Sequence, residues 1–218
     1  MADIRNKTKR VFFPKHILQF WSGGADSTYL LLQNLLCKNR LTLTYLDVQN
    51  NGKKTEREVI ARDSLKEDIA KFCDHFHLTQ PMYLEDHHIR INHEVQSCGA
   101  PQQIMFLMTA LLIGRKYDEI QLGIVFGDSM RGSNYYNKIV AIHRRFFCKD
   151  FPDITYPIEN MSKETIYLAL KGYDKLLGTN FIKNLTVCES IDKPCGKDKQ
   201  CNPCQTQAAV FKRLRWTK

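Results

Sequence analysis

No apolar run in this 218-residue chain approaches the roughly 18 residues that a membrane-spanning helix needs. Residues 1–10, with Lys7, Lys9 and Arg10, lack the apolar stretch and small-residue cleavage site of a secretory signal. Both absences point to the cytoplasm and away from a membrane partner. No internal repeat, low-complexity tract or Pro/Gly-rich linker interrupts the chain, which excludes solenoids and tethered arrays. Two nucleotide signatures are also missing. No Gly-Lys-Ser/Thr follows a glycine loop at Walker spacing, and no three-glycine dinucleotide fingerprint is present.

The residues present are those of a soluble globular protein: 43% are hydrophobic and 25% charged, enough to build one sizeable core. We expect a single domain over 1–218 carrying a small cysteine-bearing knuckle at 186–207. Lys plus Arg number 32 against 23 Asp plus Glu, a net charge of +9 that favours anionic partners such as nucleotides or nucleic acid. The basic residues are dispersed, from Lys7 through Arg144 and Arg145 to Arg213 and Arg215. A merely solvated basic surface therefore stays open beside a nucleic-acid groove.

Strands and helices alternate along the chain. Residues 16–21 form a short apolar run, and Tyr29, Leu30, Leu31, Leu32, Leu35 and Leu36 then build an apolar helix. Residues 41–47 are β-rich and turn at 49–52, and 55–77 carry Val59, Ile60, Leu65, Ile69 and Phe72 at helical spacing. Residues 81–84, 119–125 and 154–156 read as further strands. Residues 104–113, 135–147, 162–170 and 205–214 read as helices, Ser162 serving as an N-cap. Residues 85–99 show no period and are expected to form a long loop near a site. Phe146, Phe147 and Tyr135 are expected in the core. This order argues for an α/β fold, an open, mostly parallel sheet with helices on both faces, whose ligands bind at the carboxyl ends of the strands.

Ser22, Gly23, Gly24, Asp26, Ser27 and Thr28 follow Trp21 at the first strand-to-helix junction. Glycines let the backbone approach an anion, helix N-terminal amides point at phosphate oxygens, and the hydroxyls add donors. Asp26 can also help hold Mg²⁺ beside a leaving pyrophosphate. An ordinary capped turn is the plainer alternative. Lys163 begins a helix, where its charge opposes the helix dipole, so an anion is expected beside it. Asp47, at a strand end, either lines an adenosine pocket or serves the following turn. His87 and His88 are a metal pair, a base, or polar surface.

Eight cysteines without a signal sequence point to thiols, catalysis or metal rather than disulfides. Cys37, Cys73, Cys98 and Cys148 are scattered and read mostly as inert buried thiols. Cys188, Cys195, Cys201 and Cys204 crowd into one short segment. Four thiolates, two of them in a Cys-x-x-Cys knuckle, suit a closed tetrahedral Zn²⁺ site. A redox dithiol and an iron–sulfur cluster are the competing readings.

Ser-Gly-Gly-x-Asp-Ser after an N-terminal strand resembles the PP-loop of the adenine-nucleotide α-hydrolase superfamily. With the clustered cysteines, the chain resembles the QueC-type 7-cyano-7-deazaguanine synthase family over nearly its whole length. Residues 123–128 look like that family's Gly-x-x-x-x-Asp, residues 156–163 like its Pro-Leu then Thr-Lys segment, and Cys195 to Cys204 like its zinc knuckle. The resemblance implies a ligase that uses ATP with Mg²⁺ to adenylate 7-carboxy-7-deazaguanine, releases pyrophosphate, and forms an amide and then the nitrile, as in queuosine biosynthesis. It implies ATP binding by residues 21–24 and 26–28 with Asp47, charge neutralisation by Lys163, acceptor orientation by Asp128, and Zn²⁺ on the four cysteines.

The acceptor end departs from the family. Residues 131–137 replace its Gly-Tyr-Pro-Asp-Cys-Arg, Gln102 and Gln103 stand where it has Arg-Asn, and the Cys195–Cys201 spacing is longer. An exchanged acceptor fits these departures: another carboxylate, or a protein amine of the sort used by relatives in phage and antiphage-defence systems. Two other functions stay open, a tRNA-modifying PP-loop enzyme and a non-catalytic, zinc-stabilised nucleotide-binding module. A homodimer would suit a chain of this size.

Overall fold

The computed structural model describes residues 14–48, 52–89, 102–125, 135–187, 195 and 201–216. Its centre is strand β1 (His16–Phe20), buried along almost its whole length, as a parallel strand covered on both faces must be. β2 (Arg40–Thr44) and β6 (Glu119–Gln121) flank it, with Ile17 opposite Leu41 on one side and opposite Glu119 on the other. β4 (Met82–Tyr83) lies outside β2 and β7 (Asp153–Thr155) outside β6, giving a parallel five-stranded sheet in the order β4-β2-β1-β6-β7.

The ladder of β2 and β4 does not stop at the sheet's edge. Leu84 N donates to Leu43 O and His87 N to Tyr45 O, each at 2.9 Å, and β3 (Leu46–Val48) then pairs in parallel with β5 (His87–Ile89). Within the stretch expected to be a loop from residue 85, residues 87–89 are therefore a strand. A three-residue pairing carries too few side chains to show a period.

Alternation along β1 divides the core. Ile17 and Trp21 belong to one cluster with Leu30, Leu31, Leu41, Leu43, Ile69, Phe72 and Leu170. This cluster lies beneath helices α1 (Ala25–Leu36), α2 (Gly52–Phe76) and α5 (Lys163–Leu177), together with α6 (Phe181–Asn184) and α7 (Asn202–Arg213). Leu18 and Phe20 point to the other face, where Leu107, Ile120, Val140, Phe151 and Ile154 pack under α3 (Gln102–Ile113) and α4 (Tyr135–Phe146). Each fully buried aliphatic side chain contributes roughly 1.5–3 kcal/mol.

α1 closes through Lys38 at φ 58°, with Cys37 N and Asn39 N returning to Gln33 O and Asn34 O. α5 ends on Gly178 at φ 66°, whose amide returns to Asp174 O, so the helix runs seven residues past the expected limit at Leu170. The expectation that Phe146 and Phe147 are core is corrected: they are 66% and 81% exposed. α4 covers the edge strand β7 with the stripe that holds Val140; Phe146 falls outside that stripe, and Phe147 lies past the helix end. The side chain of Tyr135 lies outside the described residues. Among the scattered cysteines Cys73 is buried, Cys148 half-buried and Cys37 exposed, and Cys98 lies outside the described residues.

From β1 the chain moves outward through β2 to β4, then crosses back to β6 on the other side. The strand order thus reverses between β1 and β6, and the ligand crevice of an open α/β sheet lies at the carboxyl ends of such a pair.

Candidate phosphate-binding site

At that reversal the chain leaves β1 through Trp21 and Ser22 and turns on Gly23, whose φ of 77° suits a residue without a side chain. A Cβ there would also stand 3.1 Å from Cγ of Arg62. Gly24 is the N-cap of α1, in extended conformation and without a side-chain cap to the helix amides. Hydroxyls flank this end of the helix: Ser22 Oγ lies 3.5 Å from Ser27 Oγ, which donates to Gly24 O at 3.3 Å. The exit of β6 comes against the same turn, because a Cβ on Gly123 would sit 2.9 Å from Ser27 N. A helix N-terminus, two hydroxyls and a tight glycine bend are a suitable cradle for an anion.

Asp26, in the first turn of α1, accepts a short hydrogen bond and ion pair from Nζ of Lys163, the first residue of α5. Ser162 caps α5 by accepting from Thr165 N at 3.2 Å, which fixes where that lysine emerges. The anion expected beside Lys163 is thus met by the Asp26 carboxylate. The pair places one positive and one negative group at the mouth of the loop, where the ammonium can meet phosphate and the carboxylate can meet a divalent cation.

One turn along α5, buried Tyr167 packs edge-on against Phe211 of α7, ring centroids 5.3 Å apart. Burial pushes its hydroxyl pKa far up, a hydrogen bond with Gln207 opposes this, and the charges of Asp26 and Cys204 add to the rise. Tyr167 therefore stays a neutral phenol between the loop carboxylate and the cysteines. The sulfurs of Cys195, Cys201 and Cys204 lie within 4.8 Å of one another, and Cys201 N donates to Cys195 Sγ at 3.4 Å. Four thiolates around Zn²⁺ at about 2.3 Å stand a little under 4 Å apart, so this cluster can hold a metal ion. Cys188, the fourth expected ligand, lies outside the described residues. The segment before it is joined to the loop, Thr186 N donating to Gly23 O at 3.1 Å.

The remaining expected residues are placed as follows. Trp21 is buried and its Nε1 donates to Thr28 Oγ1 at 3.0 Å, so both brace the loop from beneath. Asp47 is buried in β3 and accepts from Thr55 Oγ1 of α2 at 2.8 Å, the arrangement of a residue that serves the following helix. Among the described residues His87 joins no group of metal-ligating side chains. Asp128 lies outside the described residues.

Arg62 was not singled out by sequence reasoning. It is buried against Gly23, stacks 4.2 Å from the Tyr45 ring and 5.6 Å from that of Trp21, and donates to Asp86 Oδ1 at 2.7 Å. The available signal was its phase. Glu58, Arg62 and Asp68 fall on the same helical stripe as Leu65, Ile69 and Phe72, and all are buried. Charged residues in register with a core stripe must be paired.

No protein-family model matches this sequence, and no curated protein matches it. Solved structures do. The U34-tRNA thiolase NcsA of Methanococcus maripaludis, solved with its 4Fe–4S cluster, is 13% identical, with a TM-score of 0.48 over 93% of this chain and 68% of that one. NMN synthetase of Francisella tularensis is 13% identical, with a TM-score of 0.40 over 93% and 78% of the two chains. A protein of Methanocaldococcus jannaschii described as a predicted subunit of tRNA methyltransferase gives the same identity and score over 93% and 89%.

Proposed function

We propose that this chain is an ATP-dependent ligase that adenylates a carboxylate and passes it to a nitrogen nucleophile. The Asp26–Lys163 pair carries the reading. A phosphate cradle alone binds, whereas an ammonium at its mouth can stabilise charge on an α-phosphate under attack, and a carboxylate there can face the divalent cation that travels with ATP.

Ser22, Gly23, Gly24, Ser27 and the first amides of α1 receive the phosphates, and Trp21 and Thr28 hold the loop's shape. Lys163 leaves Asp26 for the α-phosphate and offsets its growing negative charge. Asp26, released, faces the divalent cation that accompanies ATP. Mg²⁺ supplies charge neutralisation on the departing pyrophosphate. Cys195, Cys201, Cys204 and Cys188 would hold Zn²⁺ in a structural role, and Asp128 would orient the acceptor. The acceptor is a 7-deazaguanine-type carboxylate, as in QueC-type synthases, or one exchanged for it, with ammonia or a protein amine as nucleophile.

The test is incubation with ATP, Mg²⁺, ammonium and 7-carboxy-7-deazaguanine, following AMP, pyrophosphate and product mass, with Asp26→Ala as control. AMP with a nitrile or amide product supports the full reading. AMP only with another carboxylate or amine supports an exchanged acceptor, and ADP with phosphate overturns the chemistry. A tRNA-modifying reading draws support from the net charge of +9. It requires tRNA binding that weakens steeply as salt rises.

A further inference from the structure

Beneath the phosphate loop the core contains a line of buried amides where leucines would suffice for packing. Gln19 of β1 and Gln121 of β6 are register partners, and both are almost wholly buried. Asn34 of α1 joins them, its Nδ2 donating to Gln121 Oε1 at 2.6 Å and to Gln19 Oε1 at 3.2 Å. Gln19 Nε2 donates at 2.7 Å to the carbonyl of Ser27, in the first turn of α1. At the other end Gln121 Nε2 donates to Glu119 Oε1 at 2.8 Å. Glu119 also accepts from Thr155 Oγ1, and its Oε2 accepts from Lys15 Nζ at 2.6 Å. One continuous chain of hydrogen bonds thus runs from the amino-terminal edge of the sheet to the phosphate cradle.

Replacing both partners of a buried hydrogen bond with apolar groups of the same shape can be nearly neutral, so stability alone does not call for such a network. It contributes position. Apolar side chains let a helix slide along a sheet at small cost, whereas short directional bonds fix one height. The height fixed here is that of the turn bearing Asp26, Ser27 and Thr28, held from below by Gln19 and from the side by Gly123.

We propose that Gln19, Asn34 and Gln121 are positioning residues that set the first turn of α1 at the height its phosphate ligand requires. The inference rests on the nucleotide reading above for the identity of the ligand. Gln19 contributes most, because it alone of the three touches that turn.

The test compares Gln19→Met, Gln19→Leu and Gln121→Met with Ile154→Val, a mild core change on the opposite face of the sheet. Three readouts are taken: the melting temperature, the Kd for the magnesium complex of a non-hydrolysable ATP analogue, and amide exchange across Ala25–Leu30. Loss of the bond to Ser27 O in either Gln19 variant is expected to weaken nucleotide binding about tenfold and speed exchange in that turn. Gln121→Met, one link further away, is expected to show a smaller effect of the same sign. Ile154→Val is expected to lower the melting temperature with Kd unchanged. Wild-type affinity and exchange in folded Gln19→Met and Gln19→Leu would overturn the inference. If the unaltered protein fails to bind the analogue, the nucleotide reading fails, and the exchange comparison decides the positioning role by itself.

Discussion

A single hydrogen atom separates Gly123 from a residue that the site cannot accept. Its missing Cβ would stand 2.9 Å from Ser27 N and 3.0 Å from Ser27 Cα, both backbone atoms that cannot swing aside. Gly123→Ala must push α1 away from β6, and overpacking of this kind costs about 1–3 kcal/mol. Urea unfolding should show that loss, accompanied by weaker ATP binding; unchanged values of both would mean that the loop tolerates the shift. The turn at Ser22 to Thr28 was legible from sequence because its glycines and hydroxyls stand between an apolar strand and an apolar helix. Arg62 was not, because its meaning comes from a glycine 39 positions away and two aromatic rings that follow β1 and β2. Lys163 stood between these cases: its unfavourable place at a helix start announced an anion, and only the fold shows Asp26 meeting it.

Among the elements, strand β6 carries a pH dependence. Burial pushes the Glu119 carboxyl up, but hydrogen bonds from Lys15, Thr155 and Gln121 outweigh it and hold the pKa below the ordinary 4.5. A depressed carboxylate pKa gives stability that is complete above the unfolded value and lost as pH falls through the folded one. Wild-type protein should therefore lose urea resistance between about pH 5 and pH 3 more steeply than Glu119→Gln. Parallel titration curves would show that the carboxylate is not so held. Helix α7 gives a second expectation. Val210 and Phe211 anchor its distal half in the core, while its first turns lean on Cys201 and Cys204. Chelation should speed amide exchange at the start of Asn202–Arg213 and leave β1 protected; an unaffected helix start would argue against a metal there. The ends of elements were the least readable part of the sequence. α5 was expected to stop at Leu170 and runs to Leu177, because Tyr173 and Leu177 pack against the first core cluster as partly buried side chains.

Across the whole molecule, alternating strand and helix patterns made the parallel sheet and its two covered faces legible. The strand order was not, since it depends on which strands meet after the chain doubles back. On the proposed function, that order predicts where the nucleotide binds. The magnesium complex of an ATP analogue should slow exchange in Ser22–Thr28 and in 123–125, beside the reversal point, and leave α4 unchanged. Protection centred on α4 would move the site elsewhere. No helix among the described residues is long and apolar enough to cross a membrane.

The bonds that finish the cradle also bear on how the protein is made. Asp26 and Lys163 are 137 positions apart, and Gly23 receives its bond from Thr186, later still. On a ribosome adding about 5–20 residues each second, the glycine turn is synthesised many seconds before either partner exists. During that interval the nascent chain carries the phosphate loop without the contacts that complete it. On the proposed function, competence to hold a nucleotide arrives late in translation, first with Lys163 and then with Thr186, and amino-terminal fragments ending before Lys163 should be unable to compete with the finished protein for ATP.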